Sequence, residues 1–301
     1  MFDSEDIQKQ IDALDYSIEL LKDRRTQLRQ ELYSKEWKEN RFANDKQTKR
    51  IAEFFRALGF VIVDLKSDSQ NEDDLFYRLA KQIWEFYKTD QRVKDFIKEL
   101  SKIEAKTTFL YPTDTWGHEE RNRLNNLCKT MQDNRWITIN KSEADTVLNV
   151  TSRLTPETSK FLDGGWAESI TRFLINKTFS VFIKKRKMFQ KKIFWNVQIK
   201  RFGSVNANDM ELDVVVELND RFYIFETKSG VIEFRKMFDK ADLFDRDGES
   251  RFILCSLDEK WRPYHFKPHL LYPLPELEER WKLLLSKDFK GEIAETDTIE
   301  A

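Results

Sequence analysis

The longest regular pattern in the chain lies in residues 5–38. Ile7, Ile11, Leu14, Ile18, Leu21, Arg25, Leu28 and Leu32 follow one another at alternating spacings of four and three. This 3.5-residue repeat is a coiled-coil seam, with Ile11, Ile18, Arg25 and Leu32 at one position and Ile7, Leu14, Leu21 and Leu28 at the other. The remaining positions are rich in charged and amide side chains, and no Gly or Pro interrupts. β-Branched residues at the first position and Leu at the second favour a parallel pair, and Arg25 in the seam disfavours larger bundles. A homodimer through this helix is expected. The alternative is an intramolecular hairpin or docking on the chain's own body.

Beyond the heptads the pattern changes twice. Over residues 41–160, amphipathic helices at 51–58, 71–87, 91–103 and 119–134 are interleaved with short strand-like runs at 60–65, 107–111 and 136–139. Gly59 stops the first helix, and Leu75, Leu79, Ile83 and Phe86 share one face of the second. The last helix and strand, with residues 142–150, suggest a small winged-helix-like unit, against the poor helix propensity of Asn122, Asn125 and Asn126. No Gly-rich phosphate loop occurs, and no chemistry attaches to this stretch.

Residues 161–301 read differently. Gly164-Gly165 is expected to break the chain before a helix over 166–176, with Ile170, Phe173 and Leu174 inward. Three β-rich runs follow at 193–202, 211–218 and 221–226, the last two parted by the turn signal Asn219-Asp220. A helix at 231–245, a strand at 251–256, the Pro-containing stretch 263–275, a helix at 276–285 and an acidic, frayed tail at 291–301 complete the chain. The fold class is therefore α/β, in three segments: a coiled-coil helix (1–40), a mixed, mostly helical middle (41–160) and a helix–strand–strand–strand–helix–strand unit (161–301).

Composition narrows the classes. The chain has 301 residues, 40% of them hydrophobic, with 24 Phe and 8 Trp, which excludes a disordered chain. No apolar run approaches the ~20 residues of a membrane-spanning helix, and the acidic first six residues lack a signal peptide's apolar stretch. No membrane partner is expected. Cys128 and Cys255 are far apart and outside any CxxC spacing, so neither a disulfide framework nor a zinc knuckle is expected; both read as buried small hydrophobes in a reduced, cytoplasmic setting. His118, His265 and His269 are too scattered for a metal site.

The 52 basic and 53 acidic residues nearly cancel, so charge informs only through its placement. Between Glu168 and Asp209 there is no acidic residue, while Arg172, Lys177, Lys184, Lys185, Arg186, Lys187, Lys191, Lys192, Lys200 and Arg201 are basic. Such a stripe suits a phosphate backbone, and a merely solvated loop is the alternative. Phe179, Phe182, Phe189, Phe194 and Trp195 are interleaved; they can stack on unpaired bases, but at least half are expected in the core. Lys236 and Lys240, on the helix over 231–245, either reach a phosphate or form an ordinary exposed face.

One constellation carries chemistry. Asp213 lies in the middle strand, and Glu226-Thr227-Lys228 closes the next one thirteen residues later. Antiparallel strands joined by a tight turn bring these positions alongside each other, and Glu226 and Lys228, two apart, share a face. Glu168, one helical turn past Gly164-Gly165, offers a third carboxylate. Phosphodiester hydrolysis needs such a set. Two or three carboxylates hold Mg²⁺ or Mn²⁺, the cation polarises the phosphoryl oxygen and acidifies a water, and a lysine orients that water or stabilises developing charge. Leu212, Val214 and Val216 flank Asp213, and Tyr223 and Phe225 precede Glu226. The charges thus terminate apolar strands, a costly place without a compensating cation.

In that element order, Asp213 followed by Glu226-Thr227-Lys228 resembles the PD-(D/E)XK nuclease superfamily, with its restriction-endonuclease-like αβββαβ core. The wider string Phe161-Leu162-Asp163-Gly164-Gly165-Trp166-Ala167-Glu168, then Glu211-Leu212-Asp213-Val214, then Phe225-Glu226-Thr227-Lys228-Ser229-Gly230 is similar to the nuclease domain of CRISPR-associated ancillary nucleases of type III systems. The resemblance covers roughly residues 160–260. It implies a metal-dependent endonuclease acting on DNA or RNA, in defence against foreign nucleic acid. It makes Asp213 and Glu226 metal ligands assisted by the Thr227 backbone carbonyl, Lys228 the catalytic lysine, and Glu168 the helix-borne acid that completes the site. Leu212 replaces the motif's Pro. Residues 41–160 also lack the repeated strand–helix units of the cyclic-oligoadenylate sensor that precedes the nuclease in those proteins. The competing expectation is a non-catalytic coiled-coil scaffold whose restriction-like domain only binds nucleic acid or protein.

Overall fold

Thirty-six residues without Gly or Pro form the first helix, α1 (Ser4–Glu39), as the heptads predict. The structure, a computed structural model, describes residues 4–67, 75–140, 147–184, 190–230, 234–246, 249–257 and 271–289. In chain order α1 is followed by α2 (Arg41–Asn44), α3 (Lys49–Ala57), β1 (Phe60–Ser67), α4 (Leu75–Tyr87), α5 (Arg92–Ser101), β2 (Thr108–Pro112), α6 (His118–Asp133), β3 (Ile137–Asn140) and β4 (Val147–Ser152). Then come α7 (Pro156–Lys160), a π-helical turn (Phe161–Gly165), α8 (Trp166–Lys184), β5 (Lys191–Arg201), β6 (Met210–Leu218), β7 (Arg221–Lys228), α9 (Phe234–Phe244), β8 (Ser250–Ser256), β9 (Leu271–Pro273) and α10 (Leu277–Asp288). The architecture is mixed α/β. Among the described residues, no helix is long and apolar enough to cross a membrane.

The chain divides into two compact units, Met1–Lys66 with Phe194–Leu212, and Ser67–Ile193 with Asp213–Ala301. Residues 41–66 thus group with α1 and with 194–212, and 67–160 with 161–193 and 213–301. The winged-helix-like reading of residues 142–150 falls partly outside the described residues, as do parts of the helices read over 71–87 and 231–245. His265, His269 and the tail 291–301 lie wholly outside them.

In the first unit, Asn40 ends α1 and starts α2. Its side-chain oxygen accepts from the Phe42 and Ala43 N–H groups, and its amide donates to the Ile62 carbonyl at 2.7 Å, a side-chain cap of the usual kind. Gly59, at φ 83°, takes the left-handed conformation that lets α3 turn into β1. The last turns of α1 dock locally: the Tyr33 ring lies 4.8 Å from that of Phe202, and Glu36 accepts from the Gly203 N–H at 3.0 Å. Upstream, the seam residues Ile11, Leu14, Ile18, Leu21 and Leu28 are 45–69% exposed. These upstream seam residues are therefore not covered by the described parts of their own unit.

In the second unit, α4, α5 and α6 pack with an antiparallel sheet of order β2-β4-β3, around Leu79, Ile83, Phe86, Phe96, Leu127, Met131 and Val150. Thr155 caps α7 through a reciprocal pair with Thr158. Here the structure corrects one expectation. Gly164-Gly165 does not break the chain: α7, the π-helical turn and α8 follow without a gap. The two glycines are accommodated by a locally widened helix, a feature that recurs at functional sites.

The remaining strands lie in the order β6-β7-β8-β9. β6 and β7 form the hairpin the turn signal predicts, with Asn219 at φ 51°. β7 and β8 are parallel and need a crossover, which α9 supplies. Val214 to Leu218 and Phe222 to Thr227 are all buried, the near-continuous apolar reading of a strand covered on both faces. β9 and the 3-10 turn after it are elements the sequence reading missed. α10 then places Trp281 edge-on to Phe179, Tyr223 and Phe225, at 4.8–5.4 Å between ring centroids.

Trp281 is fully buried, and its indole N–H has no hydrogen-bond partner among the described residues. Its stabilisation is therefore apolar and shape-based. Trp281→Ala should cost about 3–5 kcal/mol by the cavity it leaves, whereas Trp281→Phe, which removes no hydrogen bond, should cost distinctly less. Urea unfolding of the three proteins measures both.

Candidate active site

The β6–β7 register pairs Leu218 with Arg221 and Val214 with Phe225. Carried one residue further, it sets Asp213 opposite Glu226. The Thr227 N–H donates to Asp213 Oδ2 at 2.6 Å. On β7, Lys228 reaches back two positions and donates from Nζ to Glu226 Oε1 at 2.7 Å. From α9, Lys240 donates to Glu226 Oε2 at 2.8 Å. The Glu226 side chain is 4% exposed, so each of its oxygens is met by a lysine ammonium group rather than by bulk water.

Glu168 sits in the first turn of α8. A pair of threonines ties that turn to β7: Thr227 Oγ1 donates to Thr171 Oγ1 at 3.0 Å, and Thr171 Oγ1 donates to the Ala167 carbonyl at 3.0 Å. The π-helical turn closes the other side. Ser229 Oγ donates to the Asp163 carbonyl at 2.9 Å, and a Cβ at Gly164 would lie 3.1 Å from Ser229 Oγ. The helical segment that carries Glu168 is thus tied to the strand end that carries Glu226 and Lys228.

The electrostatics follow from this crowding. Burial pushes the Asp213 carboxyl up, and the Glu226 and Glu168 charges push it further; Lys228 and the Thr227 N–H offset only part of this, leaving it well above the usual carboxylate range. For Lys228, burial alone acts downward, but the charges of Glu226, Asp213 and Glu168 outweigh it and hold its pKa raised. Lys228 is therefore an ammonium ion. With Asp213 ionised, three carboxylates would stand against the Lys228 and Lys240 ammonium groups, an excess of one negative charge.

That donor set suits a hard divalent cation in kind: oxygen ligands with surplus negative charge. Asp213, Glu226, Glu168 and the Thr227 carbonyl are the groups available. A finished cage is not formed, since among the described residues no three His, Cys, Asp or Glu side chains are gathered closely enough to hold an ion. Glu226 takes a cation only by releasing an ammonium partner.

Beside these residues opens a cleft of about 410 Å³, lined by Gly164, Glu168, Thr227, Lys228 and Ser229 and, from α5, by Lys94 and Lys98. The two α5 lysines were not singled out in the sequence, where two lysines four apart on a polar helix face look like any solvated face. The basic stripe is placed differently from a free phosphate track. Lys191 donates to Asn176 Oδ1 at 2.7 Å, and Lys192 lies 3.7 Å from Glu217. Lys185, Arg186 and Lys187 lie outside the described residues, as does the Lys184 side chain. Lys236 is exposed, whereas Lys240 turns inward to Glu226. Phe179 and Phe194 are core, and Trp195 carries the Lys66 ammonium 4.5 Å above its ring. Cys128 and Cys255 are buried thiols, Cys128 pushed up to about 12 by burial.

No protein-family model matches the chain, and no curated protein matches it. Among solved structures it is similar to protein VC1899 from Vibrio cholerae, with 20% identity and a TM-score of 0.48 over 80% of this chain and 61% of that one. The chain thus spans about three fifths of VC1899, and a likeness of that size carries nothing about the chemistry of the site.

The raised Asp213 pKa has a thermodynamic consequence. A carboxyl that holds its proton more tightly when folded lowers stability once pH exceeds its unfolded value of about 3.9, where both states begin to ionise unequally. Asp213→Asn removes that charge and keeps an oxygen to accept from Thr227. The variant should melt higher than wild type at pH 7, by roughly 2–4 °C for each kcal/mol recovered. The difference should shrink toward zero as pH falls to about 4. Thermal melts across this range check the sign.

Proposed function

We propose that the chain is a divalent-metal-dependent nuclease that hydrolyses phosphodiester bonds of DNA or RNA. The observation that carries this reading is the convergence of Asp213, Glu226 and Lys228 on adjacent strand ends beside a cleft. The order α8, β5, β6, β7, α9, β8 supports a restriction-endonuclease-like core, and with it the resemblance to CRISPR-associated ancillary nucleases and a role in defence.

Asp213 and Glu226, with Glu168 and the Thr227 carbonyl, would hold Mg²⁺ or Mn²⁺, which when bound would supply phosphoryl polarisation and an acidified water. The protein's own part is positional and electrostatic. Lys228 is 31% exposed at its side chain and Lys240 13%. Lys228 is therefore the partner that leaves Glu226 and turns to the negative charge developing on the phosphoryl oxygens. Lys240 stays and keeps the Glu226 carboxylate aimed. Thr227 fixes Asp213 through its N–H, which leaves Asp213 Oδ1 for a ligand.

One observation favours a second, non-catalytic reading. The Glu226–Lys228–Lys240 clasp already satisfies itself, as a structural ion network in a nucleic-acid-binding scaffold does. Cleavage of supercoiled plasmid and of single-stranded DNA and RNA with Mn²⁺ separates the two. Wild type should cut, and Asp213→Ala and Lys228→Ala should lose at least about a hundredfold, the loss typical of a transition-state contact. Equal activity in all three proteins, or none in any, removes the nuclease.

The exposed seam of α1 supports a homodimer, which sets two sites on one substrate. Leu14→Glu with Leu21→Glu places charge at successive positions of one seam. In sedimentation, wild type should run as a dimer and the double variant as a monomer. A monomeric wild type ends the dimer proposal.

A further inference from the structure

We propose that Lys94 and Lys98 of α5 hold the phosphate next to the scissile one on a single nucleic-acid strand, so that α5 is part of the substrate site. This rests on the nuclease reading and assigns it a substrate form and two binding residues.

The two lysines line the same cleft as Glu168, Thr227 and Lys228. They are four apart on one helix, so their ammonium groups share a face, where like charges repel by a few tenths of a kcal/mol in the absence of an anion. Both are half-buried, and neither makes an ion pair among the described residues. Other lysines of this unit do pair: Lys88 with Glu85 at 2.6 Å and Lys177 with Glu278 at 2.8 Å. The stem of α5 is fixed, since Val93, Phe96, Ile97 and Leu100 are buried on its opposite face. Asp163 and Glu168 also line the cleft, but the two α5 lysines, held on a rigid wall without an ion pair among the described residues and sharing the lining with Lys228, form a site for an anion with more than one negative oxygen. A phosphodiester backbone beside the reacting bond meets that description.

The size of the cleft bears on the strand form. A volume of about 410 Å³ falls in the small-molecule range and accommodates roughly one nucleotide. A nucleotide of a single strand can enter it directly, whereas a paired one must first leave its stack at a cost of a few kcal/mol. The basic stripe at 184–192, the sequence's own candidate for backbone binding, has Lys191 and Lys192 engaged by protein partners, so the α5 pair is the better placed of the two.

The test uses the full chain with both lysines changed to Gln. Binding of a fluorescent 12-nucleotide single strand and of the matching duplex is followed by anisotropy in EDTA. Cleavage of the single strand is followed separately with Mn²⁺. The double variant should bind the single strand at least about tenfold more weakly, with a salt slope shallower by about 1.4, the release expected for two fewer phosphate contacts on a single strand. In cleavage, KM should rise tenfold while kcat stays within about threefold. Lys88→Gln, remote from the cleft lining, controls for general charge, and an unchanged thermal melt controls for folding. Unaltered affinity and slope in the double variant overturn the proposal even when wild type cleaves. Binding that depends on the two lysines without any cleavage keeps the phosphate site and removes the nuclease. Duplex bound as tightly as the single strand overturns the strand form.

Discussion

Glu226 is a carboxylate almost wholly removed from water at the end of a buried strand, and the rest of the site is arranged around that fact. Burying such a charge alone costs several kcal/mol, and it persists only with close positive partners. Here the two oxygens are met by Lys228 from the same strand and Lys240 from the crossover helix. Asp213, set opposite by the hairpin register, adds a second negative charge that these partners do not fully balance. Burial first, and this surplus second, raise the affinity of Asp213 for a proton. A proton and an ammonium group are in this sense competitors for one negative hollow, and under the proposed function a divalent cation is the third.

The fold makes that hollow by short-range means. The tight turn at Asn219 fixes which residue of β6 faces which residue of β7, and a slip of one position would turn Asp213 to the other face of the sheet. The parallel pairing of β7 with β8 requires α9 to cross over, and that crossover delivers Lys240. The Thr227–Thr171 hydrogen bond and the close approach of Ser229 to Gly164 tie α8 to the same strand end. Each contact is modest, near 1 kcal/mol for a typical hydrogen bond. Together they hold charged groups near one another against their mutual repulsion.

Much of this was legible in the sequence. Element type was clear wherever one periodicity dominated: the heptads of α1, the apolar strands β6, β7 and β8, and the Asn219-Asp220 turn. The pairing of Asp213 with Glu226 follows from counting outward from that turn. The Gly164-Gly165 pair suggests a break because glycine interrupts helices, yet the helical patterns on both sides run through it as a π-helical turn, where a side chain at Gly164 would crowd Ser229. Lys240 was read between an exposed face and a phosphate contact, because a pattern on one helix does not reveal which buried carboxylate lies under it. Lys94 and Lys98 were invisible for the same reason. Their significance depends on what α5 faces, and that is set by long-range packing around Phe96 and Leu100.

The clasp on Glu226 bears on how catalytic and structural ion networks are related. A site that must gather negative charge before its cation arrives is unstable while empty, and borrowing lysines from the scaffold lessens that instability. The borrowed groups must then differ in freedom, or the site stays closed. Lys240 is nearly enclosed and Lys228 opens onto the cleft, so the two differ in the required sense. A purely structural network gains nothing from this asymmetry, since two equally buried partners would hold Glu226 more firmly. Nor does it gain from Asp213, whose charge weakens the fold at neutral pH. The arrangement gives up stability at two points, and both lie beside the cleft that Lys228, Thr227 and Glu168 line.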